Sequence, residues 1–180
     1  MIKYILFCGL VFINFHLNAQ STEKGLVDIE SFQNELNEHF NNKDTSILLS
    51  EDFDNFIGLE FYPINLDFRV IAKFVTTPDE VPFLMPTTTD RLPEYIKYAE
   101  LHFTLQDKPM VLNVYQNLNP KEGYEEYLFL PFTDLTSGDG SYGGGRYIDL
   151  FIPDGKEIIL DFNKSYNPYC AYNAAYSCPI

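Results

Sequence analysis

The chain has no tryptophan, three cysteines, three histidines and three arginines (Arg69, Arg91 and Arg146) among its 180 residues. Each scarcity excludes something. No cysteines stand in a CxxC spacing and no histidines cluster, so a zinc or iron–sulfur centre is not expected. Asp134, Asp149 and Asp161 lack the spacing of a calcium loop, and neither metal nor cofactor is expected. GxSxG and HExxH are missing, and the run Gly143, Gly144, Gly145 is followed by neither GK[ST] nor a helix start, so it is not a phosphate loop. Paired carboxylates for glycoside chemistry stay open, because their separation is set by the fold. Positive charge is also short. Twelve basic against 26 acidic residues give a formal charge of −14, which repels phosphate backbones and anionic headgroups and argues against nucleic acid or a membrane surface as partner. The acidity reads most simply as solubility outside the cell.

What is present is apolar and aromatic. Hydrophobic residues make up 46% of the chain, with 16 Phe and 13 Tyr, enough for one domain with a core. The opening "MIKYILFCGLVFINFHLNAQ" places Lys3 before an apolar run, Tyr4 to Phe15, that is too short for a comfortable membrane span. Leu17 and Ala19 suit the positions before a signal-peptidase cut. Residues 1–19 are therefore expected to be a signal peptide, the protein exported to the periplasm or secreted, and no stable membrane insertion to remain after removal. Cleavage removes Cys8 and leaves Cys170 and Cys178, an even number in an oxidising compartment. A disulfide between them, closing a loop worth somewhat under ~3 kcal/mol, is the first reading. A reactive thiol served by His39 or His102, and two free structural thiols, are the alternatives.

Residues 20–49 read as an N-terminal helical segment. Leu26, Ile29, Phe32, Leu36 and Phe40 recur at steps of three and four. A short second helix starts at Ser50 as N-cap and ends at Gly58. From there to residue 180 the period changes to two. "FRVIAKFVTT" alternates as a strand. In "YAELHFTLQDKPMVLNVYQ" a tight turn at Asp107-Lys108 would pair Phe103 with Leu112, put the apolar residues on one face and leave His102 on the wetter one. In "GGGRYIDLFIPDGKEIILDFNK" the Asp154-Gly155 pair predicts a second hairpin with both faces apolar. The fold class expected is mainly β (α+β): an antiparallel sheet curled into a small barrel or sandwich, with the amphipathic helix against it.

The second hairpin carries a site hypothesis. Its register sets Arg146 across from Asn163 and diagonal to Asp161, within reach of a long side chain. An arginine among apolar strand residues needs a partner. Gly143, Gly144 and Gly145 leave either a gap that aromatic side chains fill or a small pocket walled by Arg146, Asp161, Asn163, Tyr142 and Asn167 and floored by Gly144. A secondary polar site is expected in "MPTTTDR", where Thr88 and Arg91 would face an anion, unless the segment is a hydrogen-bonded turn.

Taken together, "GLEFYPINLDFRVIAKF", "MPTTTDR", "YLFLPFTDLTSGDGSYGGGRYIDL" and "LDFNKSYNPYCAYNAAYSCPI" resemble the domain of unknown function 1684 family, over roughly residues 50–180. That family has no established reaction. The resemblance implies motif positions without roles: Thr88, Arg91, Asp134, Tyr142, the three glycines, Arg146, Asp161, Asn163, Asn167, Pro168, Cys170 and Cys178. Similar members continue past "CPI", so the 50–180 domain is expected to lack its last C-terminal strand. The function expected is an exported binding module for a small polar or anionic ligand near Arg146 and Asn163. The alternatives are a secreted hydrolase using Asp161 or Asp134 with Arg146, and a structural or partner-binding domain.

Overall fold

The computed structural model describes the backbone of residues 2–179 and the side chains of residues 22–179. The expected leader, residues 1–19, lies outside the residues whose side chains are described. Helix α1 (Ile2–Asn41) is followed by the four-residue α2 (Ser50–Phe53) and seven strands: β1 (Arg69–Thr76), β2 (Phe83–Leu84), β3 (Glu94–Leu105), β4 (Lys108–Asn117), β5 (Tyr127–Phe132), β6 (Arg146–Phe151) and β7 (Glu157–Asp161). Short 3₁₀ turns span Leu66–Phe68, Phe162–Lys164 and Tyr169–Ala171. The protein is mainly β, a curled antiparallel half-barrel with an N-terminal helix against it. The strands run in the order β6-β5-β4-β3-β1-β7, with β2 paired to the far end of β3.

The period-three-to-four stripe of α1 faces inward. Ile29 and Phe40 are buried and Leu26, Phe32 and Leu36 half-buried. In α2, Ser50 is the first helical residue rather than the cap: Leu49 holds that position, with no side-chain bond. The alternation read in β1 holds, with Ala72 and Phe74 buried and Ile71 and Lys73 exposed. One face of the sheet carries the main core, including Ala99, Leu101, Val114, Leu128, Leu130, Ile148 and Leu160. A second cluster forms on the other face around Met85, Tyr95, Phe129, Tyr147 and Cys178.

The first hairpin turns one residue earlier than expected. Gln106 and Asp107 both take left-handed backbone angles, φ 50° and 61°, as the two-residue mirror-image turn requires. Phe103 therefore meets Met110, and Leu101 meets Leu112. The shift amounts to two residues of register, which preserves every side chain's face. That is why the apolar and polar split was right while the pairing was not.

The second hairpin does not exist. β6 pairs with β5 and β7 with β1, at opposite ends of the sheet. Neither Asp154 nor Gly155 takes a positive φ, so the turn that their sequence suggests is not made. The strands instead meet better apolar partners, Leu130 against Ile148 and Leu128 against Leu150. Among the described residues one backbone bridge joins the two ends of the sheet. Just beyond β7, Tyr166 exchanges backbone hydrogen bonds with Tyr147 of β6, at 2.9 and 3.1 Å. This single bridge draws one rim of the half-barrel together.

Candidate functional site

Strand register lines up a rim. Arg69 lies opposite Asp161, Leu105 opposite Lys108, Phe103 opposite Met110, and Phe132 opposite Arg146. Over it fold α1, the segment 59–68 and the stretch 162–172. Between them lies a cavity of about 430 Å³, within the ~300–1,000 Å³ range of small-molecule sites. Its body is apolar, with Phe103, Leu105, Leu112, Phe132 and Phe162 from the sheet side and Phe40 from the helix.

Its polar end is built on Arg146. Nη2 donates to Asp134 Oδ2 at 2.6 Å, and Nη1 donates to Ser165 Oγ at 3.1 Å. The guanidinium stacks near Phe132 and Tyr62, 5.1 and 5.6 Å from the ring centres, a cation–π arrangement that shields its face. Asp134 is braced in turn, its Oδ1 accepting from the Thr136 backbone at 2.9 Å and hydroxyl at 2.6 Å. Partial burial pushes the Asp134 carboxyl up, but the Thr136 hydrogen bonds and the Arg146 charge outweigh it and hold the group below the usual carboxylate range. The Tyr62 hydroxyl donates to the Gly140 carbonyl at 2.9 Å, tying the covering segment to the 136–141 loop.

Asn163 also lines the cavity, yet it acts as a clip. Its Oδ1 accepts from the Asn65 backbone at 2.8 Å, and its Nδ2 donates to the Asn65 carbonyl and to Asp161 Oδ1 at 3.0 and 2.8 Å. Asp161 lies below, 4% exposed, and outside the lining. Its Oδ2 accepts from Arg69 Nη1 at 2.9 Å, and its Oδ1 also accepts from the Asn163 backbone at 3.0 Å. The expectation that Arg146 stands across from Asn163 and reaches Asp161 is thus corrected: the missing hairpin separates them, and each charged residue has a different partner. Arg146 and Asn163 nevertheless share one cavity, joined through the 162–166 stretch. Asn167 lines it as well, donating to the Tyr172 hydroxyl at 3.3 Å.

Tyr142 and Gly144 do not line it. A Cβ at Gly144 would come 2.5 Å from the Tyr142 ring, so Gly144 makes room for that ring. Tyr142 sits by the cysteines; burial first, then Cys170, pushes its phenol up. Cys170 and Cys178 are free thiols in this structure. They are neighbours: the Cys170 backbone N–H donates to Cys178 Sγ at 3.1 Å. Burial, chiefly, pushes the Cys178 thiol up to about 12. Neither expected base serves them, because His39 meets the Tyr169 hydroxyl at 3.3 Å and His102 meets Glu100 at 3.0 Å.

Thr88 and Arg91 form a clasp on the C-terminal stretch. Arg91 donates to Ser177 Oγ and to its carbonyl at 3.0 and 2.9 Å, and Thr88 exchanges bonds with Cys178. Sequence reasoning did not place Tyr62, Ser165 or Arg69 at their sites, although "GLEFYPIN" and the scarcity of arginine pointed toward them. It also missed a clasp on the outer face, where the Tyr127 and Tyr166 hydroxyls both donate to Asp149 Oδ1, at 2.7 and 2.6 Å. Among the described residues no group of three or more His, Cys, Asp or Glu could hold a metal ion, and no helix is long and apolar enough to cross a membrane.

A family model described as "Protein of unknown function (DUF1684)" matches residues 54–180. Among solved structures the chain is similar to the solution NMR structure of an uncharacterized protein from gene locus rrnAC0354 of Haloarcula marismortui. The two are 32% identical with a TM-score of 0.69, over 89% of this chain and 88% of that one. No curated protein matches.

Proposed function

The chain belongs to the family described as "Protein of unknown function (DUF1684)", and we propose that it is a binding module whose rim cavity takes a small ligand with its polar end at Arg146. The observation that carries this reading is the cavity itself: about 430 Å³ walled mostly by carbon, with one braced arginine at its end. Binding sites for small molecules have this composition, an apolar body and a few convergent polar groups. The walls alter the ligand expected from sequence. A small polar anion would leave the phenylalanines facing water, whereas a molecule with an apolar part covers them.

A hydrolytic role draws less support. Asp134 is held ionised by Arg146 and Thr136, which makes it a weak proton acceptor near neutrality. Asp161 spends both oxygens on Arg69 and Asn163.

Thermal-shift screening of the full chain against a metabolite library tests the reading. A compound that raises Tm in wild type should lose that effect in Arg146→Ala, while circular dichroism shows the β fold retained. An equal shift in both proteins would remove Arg146 from the site. Export and the Cys170–Cys178 disulfide belong to the same proposal, supported by the formal charge of −14 and by the contact of the Cys170 backbone N–H with Cys178 Sγ. Intact mass of the protein recovered outside the cytoplasm, after thiol alkylation, tests both; a retained leader or two alkylated thiols would reject them.

A further inference from the structure

The charge balance at the cavity's polar end selects the ligand's headgroup. Arg146 and Asp134 are joined at 2.6 Å, so the pair presents almost no net charge to a third group. A carboxylate brought to the guanidinium gains from Arg146 and loses part of that gain to Asp134, while the cost of desolvating the anion among aromatic rings is undiminished. An ammonium group meets the same offset with the signs reversed. Glu60, the remaining charged residue of the lining, is exposed and screened by water.

Hydrogen bonding is what remains available. Arg146 spends three N–H donors on protein oxygens, toward Ser165, Asp134 and, at 3.5 Å, Thr136. A guanidinium has five, so the Nε–H and one N–H on Nη1 are left, either of which can serve a ligand oxygen. The group that fits is an uncharged acceptor: a hydroxyl, or an ester or amide carbonyl. The apolar body calls for an alkyl chain behind it, reaching from Phe132 toward Leu105 and Met110. Met110 is 44% exposed although it lines the cavity, which marks the hairpin end as an opening where a longer chain can emerge.

We propose that the cavity binds single-chain amphiphiles with an uncharged oxygen headgroup, the oxygen at Arg146 and the chain running toward Met110. This inference rests on the binding-module reading and names its ligand class. The chain lacks tryptophan, so Met110→Trp in the full protein supplies one fluorophore at the opening. Titrating it with octanol, decanol, octanoate and octylammonium at neutral pH compares heads on one chain and chains on one head. Octanol should bind at least tenfold tighter than either charged analogue. Decanol should bind about fourfold tighter per added methylene, the equivalent of ~0.8 kcal/mol for each buried CH₂. Wild-type protein, followed by the same competitors in a thermal-shift assay, guards against an effect of the tryptophan. In Asp134→Asn the guanidinium loses its counter-charge and octanoate should overtake octanol.

Octanoate binding as tightly as octanol to the wild type would overturn the headgroup inference while leaving a binding module in place. Independence from chain length would overturn the ligand class in the same way. If none of the four binds and the metabolite screen also finds nothing, the binding-module reading fails with it.

Discussion

Removing the carboxylate of Asp161 by Asp161→Ala separates scaffold from site. Three donors converge on this 4% exposed group: Arg69 Nη1 at 2.9 Å, the Asn163 backbone at 3.0 Å and Asn163 Nδ2 at 2.8 Å. The alanine leaves a guanidinium that is 20% exposed with Asp28, at 3.7 Å, as its remaining ion-pair partner among the described residues, and leaves the Asn163 backbone N–H unpaired, while Asn163 Nδ2 keeps the Asn65 carbonyl. Breaking a buried ion pair on one side costs ~3–5 kcal/mol. For a chain of this length each kcal/mol moves Tm by roughly 2–4 °C, so a fall of about 10 °C is expected in a calorimetric or circular-dichroism melt. The matched double replacement Arg69→Met/Asp161→Leu removes both charges and should recover much of the loss, because most of the cost is the orphaned cation and not the absent attraction. A Tm for Asp161→Ala within about 2 °C of wild type would refute the assigned role of the pair, on the same conversion. A double variant no better than the single would refute the account of where the cost arises.

Three further outcomes follow from the same geometry. Gly145→Ala should destabilise by ~2 kcal/mol or more in urea melts, since φ is +90° and a Cβ would stand 2.6 Å from the Phe132 carbonyl; Gly155→Ala, in open space without a positive φ, should be neutral or stabilising by under ~1 kcal/mol, whereas a mirror-image turn at 154–155 would make it costly. Asp134 has its folded-state pKa lowered, so its contribution to stability is present above the ordinary carboxylate value and lost as pH falls through the lowered one; the Tm gap between wild type and Asp134→Asn should therefore shrink from about pH 6 to about pH 3. On the reduced protein, iodoacetamide should modify Cys178 slower than an ordinary thiol by a factor on the order of a hundred or more at mildly alkaline pH, because burial holds its pKa near 12; equal rates by peptide mass would contradict that burial.

The local elements were legible where a periodic pattern met a one-sided environment. The stripe Leu26, Ile29, Phe32, Leu36, Phe40 and the alternation of β1 each carry their own answer, because a helix or half-buried strand sorts its side chains by period alone. The β3–β4 hairpin was half legible. Faces survive a two-residue slip, so polarity could not tell Gln106-Asp107 from Asp107-Lys108, and the turn was decided by which backbone accepted φ of 50° and 61°. The scarcity of arginine correctly drew attention to Arg146, and the need for a partner was real, but that partner is Asp134, twelve residues upstream.

What failed was the step from a turn signal to a strand partner. Asp154-Gly155 favours a hairpin in isolation, yet pairing is won by whatever surface is buried along the whole strand, and β5 and β1 offered more. Asp161 was therefore attached to the wrong arginine, and Tyr142 and Gly144 to a cavity they do not line.

Composition and pattern by themselves determined a mainly antiparallel β domain with an amphipathic helix, strongly acidic, with few cations and therefore few candidate centres. The order of the strands, the closing bridge between Tyr147 and Tyr166 and the cavity beneath the 59–68 segment were decided only in three dimensions. The reason is physical: hydrophobic periodicity says which face of an element is buried, but it carries no label for the element that buries it.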